Sequence, residues 1–205
     1  MKTSRAPLTF EFERSLYKNG LIACGTDEAG RGPLAGNVAA AAVILPDGAD
    51  LSGINDSKKL SEKKREELFD VIVSTAVAYG IAFATPEEID EYNILNASLL
   101  AMRRAAAMLT PSPDVILVDG NCARGFEIPA ITVIGGDAKC PSIAAASILA
   151  KVTRDRQMYE LDAKYPQYGF AKHKGYPTKE HMAAVREYGP VDGVYRKSFL
   201  GFLER

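Results

Sequence analysis

Four acidic residues stand at the ends of apolar stretches, where solubility alone does not explain them. Asp27 and Glu28 come directly after the apolar run Leu21–Thr26. Asp119 and Asp137 each follow a later apolar run. A segment that will be buried resists charge, so acids at these positions are costly unless something offsets them. Carboxylate oxygens are the ligands that Mg²⁺ prefers, and a bound cation would offset that cost.

These four acids, called the carboxylate quartet below, suit the hydrolysis of a phosphodiester. Two divalent ions about 4 Å apart can activate a water molecule and stabilise the leaving oxygen. That chemistry needs several carboxylates at neighbouring strand ends, with one of them shared between the metals. We therefore expect Mg²⁺ or Mn²⁺ as cofactor, with two ions during catalysis. Ordinary turn chemistry remains an alternative for Asp119-Gly120 or Gly136-Asp137 taken alone.

Asp27 and Glu28 are adjacent in sequence, which limits how both can bind one metal centre. Successive side chains of a strand point to opposite faces, so the two carboxylates should diverge. An end of the strand near Gly30 would relieve this divergence. Otherwise Glu28 contributes through its backbone carbonyl or a metal-bound water, and Asp27 is the expected shared ligand.

Hydrophobic periodicity divides the chain into alternating strands and helices. The predicted strands are Leu21–Thr26, Val38–Leu45, Ile81–Ala84, Val115–Val118 and Ala130–Ile134. The predicted helices are Ser61–Tyr79, Ile94–Met108, Pro141 to about Ala163, Thr178–Tyr188 and a short one near Ser198–Leu203. Thr85-Pro86-Glu87-Glu88 has the pattern of a capping box with proline at the first helical position. This order predicts an α/β fold with a mixed sheet and helices on its faces.

Composition and charge limit the class of protein. A chain of 205 residues with 47% hydrophobic and 25% charged residues is typical of one soluble globular domain. The net charge of −1 is no evidence for nucleic-acid binding, but its distribution is uneven. Residues 1–138 carry 13 basic and 19 acidic residues, and residues 139–205 carry 12 and 7. The basic C-terminal third is suited to face a phosphate backbone, although a chance imbalance of surface charge explains it equally well.

The cysteines and the apolar runs indicate a cytoplasmic protein. Cys24, Cys122 and Cys140 form no C-x-x-C pair and are odd in number, which fits a reducing compartment. A thiolate–metal site is an alternative, but buried small hydrophobic residues are favoured, because zinc sites usually need close ligand pairs. The N-terminus lacks the apolar core of a signal peptide. The longest apolar run, Val38–Leu45, is too short to span a bilayer.

Five blocks of the sequence resemble ribonuclease HII, and they occur in the order found in that family. The likeness, with the segments between the blocks, runs from about residue 20 to residue 200. The blocks are Gly25-Thr26-Asp27-Glu28-Ala29-Gly30-Arg31-Gly32-Pro33-Leu34-Ala35-Gly36, Asn55-Asp56-Ser57-Lys58-Lys59-Leu60, Val118-Asp119-Gly120-Asn121, Ser142 to Asp155, and Tyr165 to Thr178.

The resemblance implies a ribonuclease H-like fold with a helical C-terminal appendage and two-metal hydrolysis by the carboxylate quartet. It implies an endonuclease that cuts the RNA strand of RNA–DNA hybrids. The same enzyme would incise on the 5′ side of single ribonucleotides embedded in duplex DNA, leaving 3′-OH and 5′-phosphate ends. We expect one catalytic domain over residues 1–205, with a basic substrate-contacting region at about 165–205, acting as a monomer.

The sister family ribonuclease HIII is the nearest alternative. Its members carry a sizeable extra N-terminal domain and do not normally show Gly-Arg-Gly after the acidic pair. Here about twenty residues precede the first predicted strand, and Gly30-Arg31-Gly32 is intact. These features favour ribonuclease HII.

The resemblance also indicates how the substrate is read. Only the 2′-OH separates RNA from DNA at a given nucleotide. The glycines of Gly30-Arg31-Gly32, called the glycine turn below, would let the backbone approach that hydroxyl closely. Tyr176 matches the family tyrosine that packs on the sugar next to the scissile junction. A plain tight turn and a surface-loop aromatic remain the alternatives for these two features.

Other residues are predicted to contact phosphates, which position a duplex without reading its sequence. They are Ser57, Lys58, Lys59, His173 and Lys174. A solvated helix entry is an alternative for the two adjacent lysines. Asp155, between two arginines in a helix, is predicted to be an ion-paired structural acid and not a fifth ligand.

Two functions of other classes remain open. A non-catalytic protein that binds RNA–DNA hybrids would be expected to have lost at least one acid of the quartet, and none is lost. An unrelated magnesium phosphohydrolase acting on small molecules would leave the glycine turn and the basic C-terminal third without a role.

Overall fold

The computed structural model describes residues 8–50, 53–54 and 60–204. The strands are β1 (Ala23–Ala29), β2 (Val38–Ile44), β3 (Ala78–Ala84), β4 (Val115–Asp119) and β5 (Ala130–Val133). The helices are α1 (Phe10–Ser15), α2 (Glu62–Thr75), α3 (Pro86–Ala107), α4 (Pro141–Lys164), α5 (Phe170–His173) and α6 (Lys179–Tyr188). Short 3₁₀ turns lie at Gly136–Ala138, Pro166–Tyr168, Lys197–Phe199 and Gly201–Glu204.

The strands form a mixed sheet in the order β3-β2-β1-β4-β5. β1, β2 and β3 pair antiparallel, whereas β1, β4 and β5 pair parallel. β1 is therefore the central strand and the boundary between the two modes of pairing. This arrangement confirms the predicted α/β fold with a mixed sheet flanked by helices.

β2 is buried along its whole length, and its alternating side chains serve both faces of the sheet. Ala40 and Ala42 pack in the core that α3 covers. Ala41 and Val43 pack in the core formed with α2 and α4. The small side chains bring helices close to both faces of the sheet.

The predicted helix starts around α3 are confirmed. The Thr85 hydroxyl accepts a hydrogen bond from the Glu88 amide, and the Glu88 carboxylate accepts one from the Thr85 amide, which completes the capping box. The helix is interrupted at Asn93, whose φ of 64° is non-helical. The Asn93 side chain accepts hydrogen bonds from the amides of Leu95 and Asn96, so it caps a second helical segment that begins at Ile94.

Three predicted boundaries are wrong by three or more residues, all because of strand pairing. One is the start of β3, which lies at Ala78 and not at Ile81. β1 continues to Ala29 instead of ending at Thr26, since β2 pairs with it through Ala29. The helix predicted to reach Tyr79 ends at Thr75, because residues 78–84 pair with β2 as an edge strand. Pairing with a distant strand overrides the local helical pattern at the end of this helix.

The C-terminal region forms the predicted helical appendage. Tyr168, Phe170 and Tyr195 are buried there and pack around Leu34 and Ala35, which follow the glycine turn. The rings of Tyr168 and Phe170 stack with centroids 5.5 Å apart. In place of the short helix predicted near residues 198–203, the chain forms two 3₁₀ turns.

α4 is a long helix of 24 residues that lies against β1 and β2. Its alanines face the sheet, and charged side chains occur from Lys151 onwards. Within the part of the chain that the structure describes, no helix is both long and apolar enough to cross a membrane.

The contact of α4 with β1 depends on Gly25. A Cβ atom at that position would overlap the backbone of Ser142 and Ile143 at the start of α4. We predict that Gly25→Ala lowers the free energy of unfolding by about 1–3 kcal/mol or more, because overpacked helices and strands must move apart. Urea unfolding followed by circular dichroism measures this. Gly201→Ala is the matched control, since a Cβ there meets nothing within 4 Å; equal stability of both variants would contradict the prediction.

Candidate active site

The register of the sheet brings Asp27 and Asp119 side by side. β1 and β4 run parallel, and their pairing ends one residue before each aspartate. Each aspartate also follows by two positions a residue that contacts α4, namely Gly25 and Leu117. Because side chains alternate along a strand, both carboxylates lie on the sheet face that α4 covers.

Asp27 has a more strongly raised pKa than Glu28. Its side chain is buried, with 4% of the residue exposed. Burial first, and then the negative charges of Glu28 and Asp119, raise the pKa of Asp27 well above its usual value of 3.8. Hydrogen bonds from Ser147 and from the Glu28 amide, the latter 2.7 Å long, oppose this rise only in part.

Glu28 lies on the opposite face of β1, as strand alternation predicts. It lines the groove that contains Asp27 and also a small recess beside Leu99 and Met102 of α3. Its carboxylate accepts a hydrogen bond from the Arg31 guanidinium at 3.3 Å. Burial raises the pKa of Glu28, and the charge of Arg31 opposes that rise. Since β1 stays extended through Ala29, the strand does not end early enough to relieve the divergence.

Asp137 is positioned separately from the other three acids. It lies in the 3₁₀ turn after β5 and is buried. The preceding residue, Gly136, donates its amide to the Asp119 carboxylate at 2.7 Å. Asp119 is thereby fixed by the turn that carries Asp137. The residues lining the groove include Asp27, Glu28 and Asp119 but not Asp137.

The donor chemistry of these acids suits a hard divalent cation. As the side chains stand, no three His, Cys, Asp or Glu residues of the described chain are close enough to hold a metal ion. Three carboxylates nevertheless share one groove, and burial together with the negative charges of Glu28 and Asp119 raises the pKa of Asp27. Mg²⁺ and Mn²⁺ prefer such oxygen ligands and retain several waters, so few protein ligands suffice.

Cys24 and Cys140 are not suited to a competing metal site. Cys24 and Cys140 are fully buried, and burial raises the pKa of each thiol to about 12. A thiol must lose its proton to bind a metal, so these two side chains behave as small hydrophobic residues. The prediction of buried small hydrophobes is confirmed for both.

The groove has a volume of about 330 Å³ and carries charges of both signs. Asp27, Glu28 and Asp119 form its acidic part. The remaining charged lining is mostly basic and comes from Arg31, Lys151, Arg154, Asp155 and Lys174. Such a surface attracts cations to one part and phosphates to the other.

The glycine turn and Tyr176 meet in this groove. Gly30 has a φ of +100°, and a Cβ there would overlap the Arg154 guanidinium, so glycine is required. A Cβ on Gly32 would lie 3.3 Å from Cε1 of Tyr176. The Tyr176 residue is 48% exposed, which leaves its ring available to a ligand. The structure thus brings these sequence-predicted residues together.

His173 does not present a free nitrogen to a phosphate. Its residue is buried, and its ring stacks on His181 with centroids 4.1 Å apart. Nδ1 accepts a hydrogen bond from the Gly175 amide, and Nε2 donates to the Tyr168 carbonyl. This geometry therefore does not support the predicted contact of His173 with the phosphate backbone of a substrate. Its contacts hold the loop that carries Tyr176.

Lys174 lines the groove, and its predicted phosphate contact stays a prediction. Its ammonium lies 3.5 Å from the centre of the Tyr159 ring and donates to the Ala171 carbonyl at 2.8 Å. Lys151 and Ser147 also line the groove, although the sequence argument did not single them out. In the sequence, only their position within the segment Ser142 to Asp155, which resembles ribonuclease HII, indicated that they are functional.

Asp155 is ion-paired, as predicted, but with other partners than its neighbours in sequence. It pairs with Lys151 at 2.6 Å and with Arg65 at 3.8 Å. One helical turn separates Asp155 from Lys151, which explains their contact. Ser57, Lys58 and Lys59 lie outside the described residues, so their predicted phosphate contacts remain predictions.

Comparison with known proteins identifies the family. A family model described as ribonuclease HII matches residues 24–200. The chain belongs to the ribonuclease HII family. A ribonuclease HII from Shewanella baltica is 57% identical over 189 residues, which is 89% of each chain.

Solved structures of ribonucleases H share the fold. Ribonuclease H2 from Pyrococcus horikoshii OT3 matches with a TM-score of 0.72 and 29% identity, over 89% of this chain and 97% of that chain. The Mn²⁺ complex of Bst-RNase HIII matches with a TM-score of 0.67 and 17% identity, over 90% of this chain and 71% of that one. At this low identity the second likeness concerns the fold alone.

Family membership confirms the resemblance seen in the sequence. Ribonuclease HII enzymes are endoribonucleases, and the family implies endonuclease activity on the RNA of RNA–DNA hybrids. The chain is accordingly a hydrolase of phosphodiester bonds. The ribonuclease HIII alternative is not favoured, since the matching family model and the relatives of 53–58% identity carry the name ribonuclease HII.

The raised pKa of Asp27 predicts how stability depends on pH in the metal-free protein. The folded state keeps the Asp27 proton to a higher pH than the unfolded chain, so folding becomes less favourable as pH rises above about 4. Asn mimics the protonated form at every pH. We predict that Asp27→Asn is more stable than the native chain at pH 7, and that this advantage shrinks as the pH is lowered towards 4.

Urea unfolding at several pH values, without divalent cations, measures this difference in the free energy of unfolding. Asp192→Asn is the control, because the Asp192 side chain is 94% exposed. An Asp27→Asn advantage that stays constant between pH 4 and pH 7 would show that the raised pKa of Asp27 is not its cause.

Proposed function

We propose that this chain is a metal-dependent ribonuclease HII that cuts the RNA strand of RNA–DNA hybrids and incises on the 5′ side of single ribonucleotides in duplex DNA. The products carry 3′-OH and 5′-phosphate ends. The observation that carries this proposal is the shared groove, in which the carboxylates of Asp27 and Asp119 lie beside the glycine turn and Tyr176. A catalytic group and a group suited to ribose recognition are thereby available to one substrate.

The carboxylate quartet is the set of residues that we expect to hold two divalent ions, Mg²⁺ or Mn²⁺. Those ions would supply the activation of a water molecule and the stabilisation of the leaving oxygen. Asp27 is the candidate for the shared ligand, since it is the most buried acid of the quartet and is flanked by both Glu28 and Asp119. Asp119 is held for this role by the Gly136 amide.

The basic part of the groove is proposed to hold the phosphate backbone of the duplex. Lys151 and Lys174 line it, and phosphate contacts fix the position of a duplex without reading its sequence. We assign the region of about residues 165–205 to substrate contact within a single catalytic domain spanning residues 1–205. The enzyme is proposed to act as a monomer in the cytoplasm, with its cysteines unpaired.

The glycine turn is proposed to recognise one 2′-OH by backbone contact, which needs the close approach that glycine allows. Tyr176 is proposed to stack on the sugar that follows and to favour a deoxyribose there, because a 2′-OH would crowd the ring. Together these contacts define the junction between the last ribonucleotide and DNA.

Cleavage should require both a divalent cation and Asp27. We predict that Asp27→Asn abolishes cleavage of a labelled duplex containing one ribonucleotide, because a neutral amide is a poor ligand for a hard cation. Excess EDTA should abolish cleavage by the native chain, and added Mg²⁺ or Mn²⁺ should restore it. Asp192→Asn serves as the control variant and should cut at the native rate. Substantial turnover by Asp27→Asn, or by the native chain in EDTA, would contradict the two-metal proposal.

The stacking role of Tyr176 can be measured on two substrates. Aromatic stacking on nucleic acid is worth roughly 1–3 kcal/mol, so Tyr176→Ala should lose about 5- to 150-fold in kcat/KM on the single-ribonucleotide duplex. On a uniform RNA–DNA hybrid the loss should be smaller, since the favoured deoxyribose is absent there. Tyr176→Phe keeps the ring and should keep most of the activity.

Tyr92→Ala is the matched control for that measurement. Tyr92 is a similarly exposed tyrosine on α3 and does not line the groove. If Tyr176→Ala lowers kcat/KM equally on both substrates, the proposed recognition of the junction by Tyr176 is wrong. That result would not affect the proposed metal site.

A further inference from the structure

Arg196 is a fully buried arginine whose partners are backbone carbonyls. Its residue is 0% exposed, and it forms no ion pair with a carboxylate of the described residues. Instead its guanidinium donates five hydrogen bonds of 2.7–3.1 Å to four carbonyl oxygens. Those carbonyls belong to Gly30, Arg31, Pro33 and Gly36. All three guanidinium nitrogens of Arg196 thus donate to the glycine turn or to the residues that follow it.

The backbone around Arg196 is bound to the same segment. The Arg196 amide donates to the Leu34 carbonyl at 3.0 Å, and the Gly36 amide donates to the Val194 carbonyl at 2.8 Å. Ala35 and Tyr195 form an antiparallel β-bridge between these two bonds. The side chain of Arg196 therefore enters the turn from a backbone that is itself fixed.

These hydrogen bonds determine which way the peptide groups of the glycine turn face. In a trans peptide, the C=O of one residue and the N–H of the next point in opposite directions. Because the carbonyls of Gly30 and Arg31 point at Arg196, the amides of Arg31 and Gly32 point away from it. Within the described chain neither amide is bonded to an acceptor, and the turn lines the groove. Two N–H donors are thereby left for a ligand.

A second buried arginine connects the turn to the segment that carries Tyr176. Arg154 is 2% exposed and donates to the carbonyls of Ala35 at 3.0 Å and Lys174 at 3.3 Å. The Leu34 amide donates to the Gly175 carbonyl at 2.8 Å. Burial lowers the pKa of Arg154 to about 10. The glycine turn and the segment that carries Tyr176 are consequently connected by these hydrogen bonds.

We propose that Arg196 is a positioning residue for ribose recognition, which holds the amides of Arg31 and Gly32 towards the groove at a fixed distance from Tyr176. Arg196 does not touch the substrate. It orients the two donors that select a 2′-OH, and its loss should remove the preference for a ribonucleotide more than the affinity for duplex. This inference rests on the proposed function of the glycine turn.

The experiment compares the binding of two duplexes that differ by one hydroxyl. Fluorescence anisotropy gives the Kd of a labelled duplex with a single ribonucleotide and of the matching all-DNA duplex. The protein carries Asp27→Asn so that the substrate is not cut, and EDTA is present. The measured quantity is the ratio of the two Kd values, called the ribose preference here.

Arg196→Lys retains the charge but cannot reach four carbonyls with one ammonium group. We expect it to reduce the ribose preference by about two- to tenfold, the worth of one hydrogen bond, with less than a twofold change in the Kd of the all-DNA duplex. Arg103→Lys is the matched control, since Arg103 also donates to a backbone carbonyl, that of Arg124, but does not line the groove. It should leave both Kd values unchanged.

A structural role for Arg196 would give a different result. General weakening of the fold would raise both Kd values together and leave the ribose preference intact, which would overturn the proposal. If Arg196→Lys does not fold, as judged by circular dichroism, Arg196→Gln is measured instead, because it avoids a buried charge and keeps an N–H donor. Failure of both variants to fold would also overturn the proposal, since Arg196 would then be needed for the fold itself.

Failure of this inference can be told from failure of the proposed function. If the protein with an unchanged Arg196 binds both duplexes equally, the proposed reading of the 2′-OH is wrong whatever Arg196 does. If that protein prefers the ribonucleotide and Arg196→Lys shows the same preference, only the role of Arg196 is wrong.

Discussion

The central strand β1 is the element on which the site depends. Its antiparallel pairing with β2 continues to Ala29, whereas its parallel pairing with β4 stops at Thr26. Beyond Thr26 the strand is held from one side only, so Asp27 is fixed by backbone hydrogen bonds yet borders a groove. Gly25 lets α4 approach β1 without an intervening side chain. This end of the sheet lets the Asp27 carboxylate be buried and still border the groove.

The acidic part of this groove opposes folding, and its proposed role is to bind a cation. Burial in the first place, and then repulsion from the like charges of Glu28 and Asp119, raises the pKa of Asp27. The nearby basic groups offset this repulsion only in part, because two of them form ion pairs with acids other than Asp27. Lys151 pairs with Asp155, and Arg31 pairs with Glu28. Binding of a cation would offset the repulsion, and strain of this kind is typical of functional sites.

The part of the groove proposed to read the substrate has a different origin, since it is assembled from distant segments of the chain. The glycine turn follows β1, whereas Tyr176 and Arg196 belong to the C-terminal region. The aromatic cluster around Tyr168 and Phe170 fastens that region to the residues after the turn. His173 and His181 complete this support, and burial lowers the pKa of His181 to about 4, so it stays neutral at physiological pH.

The sequence by itself determined the family, the α/β fold, most of the helices and strands, and the residue types that can bind metal and read a ribose. Those features are local: periodicity, capping residues and motif blocks carry them. Only the tertiary structure decided that β1 extends past Asp27, that β3 begins where a helix was expected, that His173 is buried, and that Arg196 holds the glycine turn. Each of these depends on pairing or packing between residues far apart in the chain, and no local pattern reports such contacts.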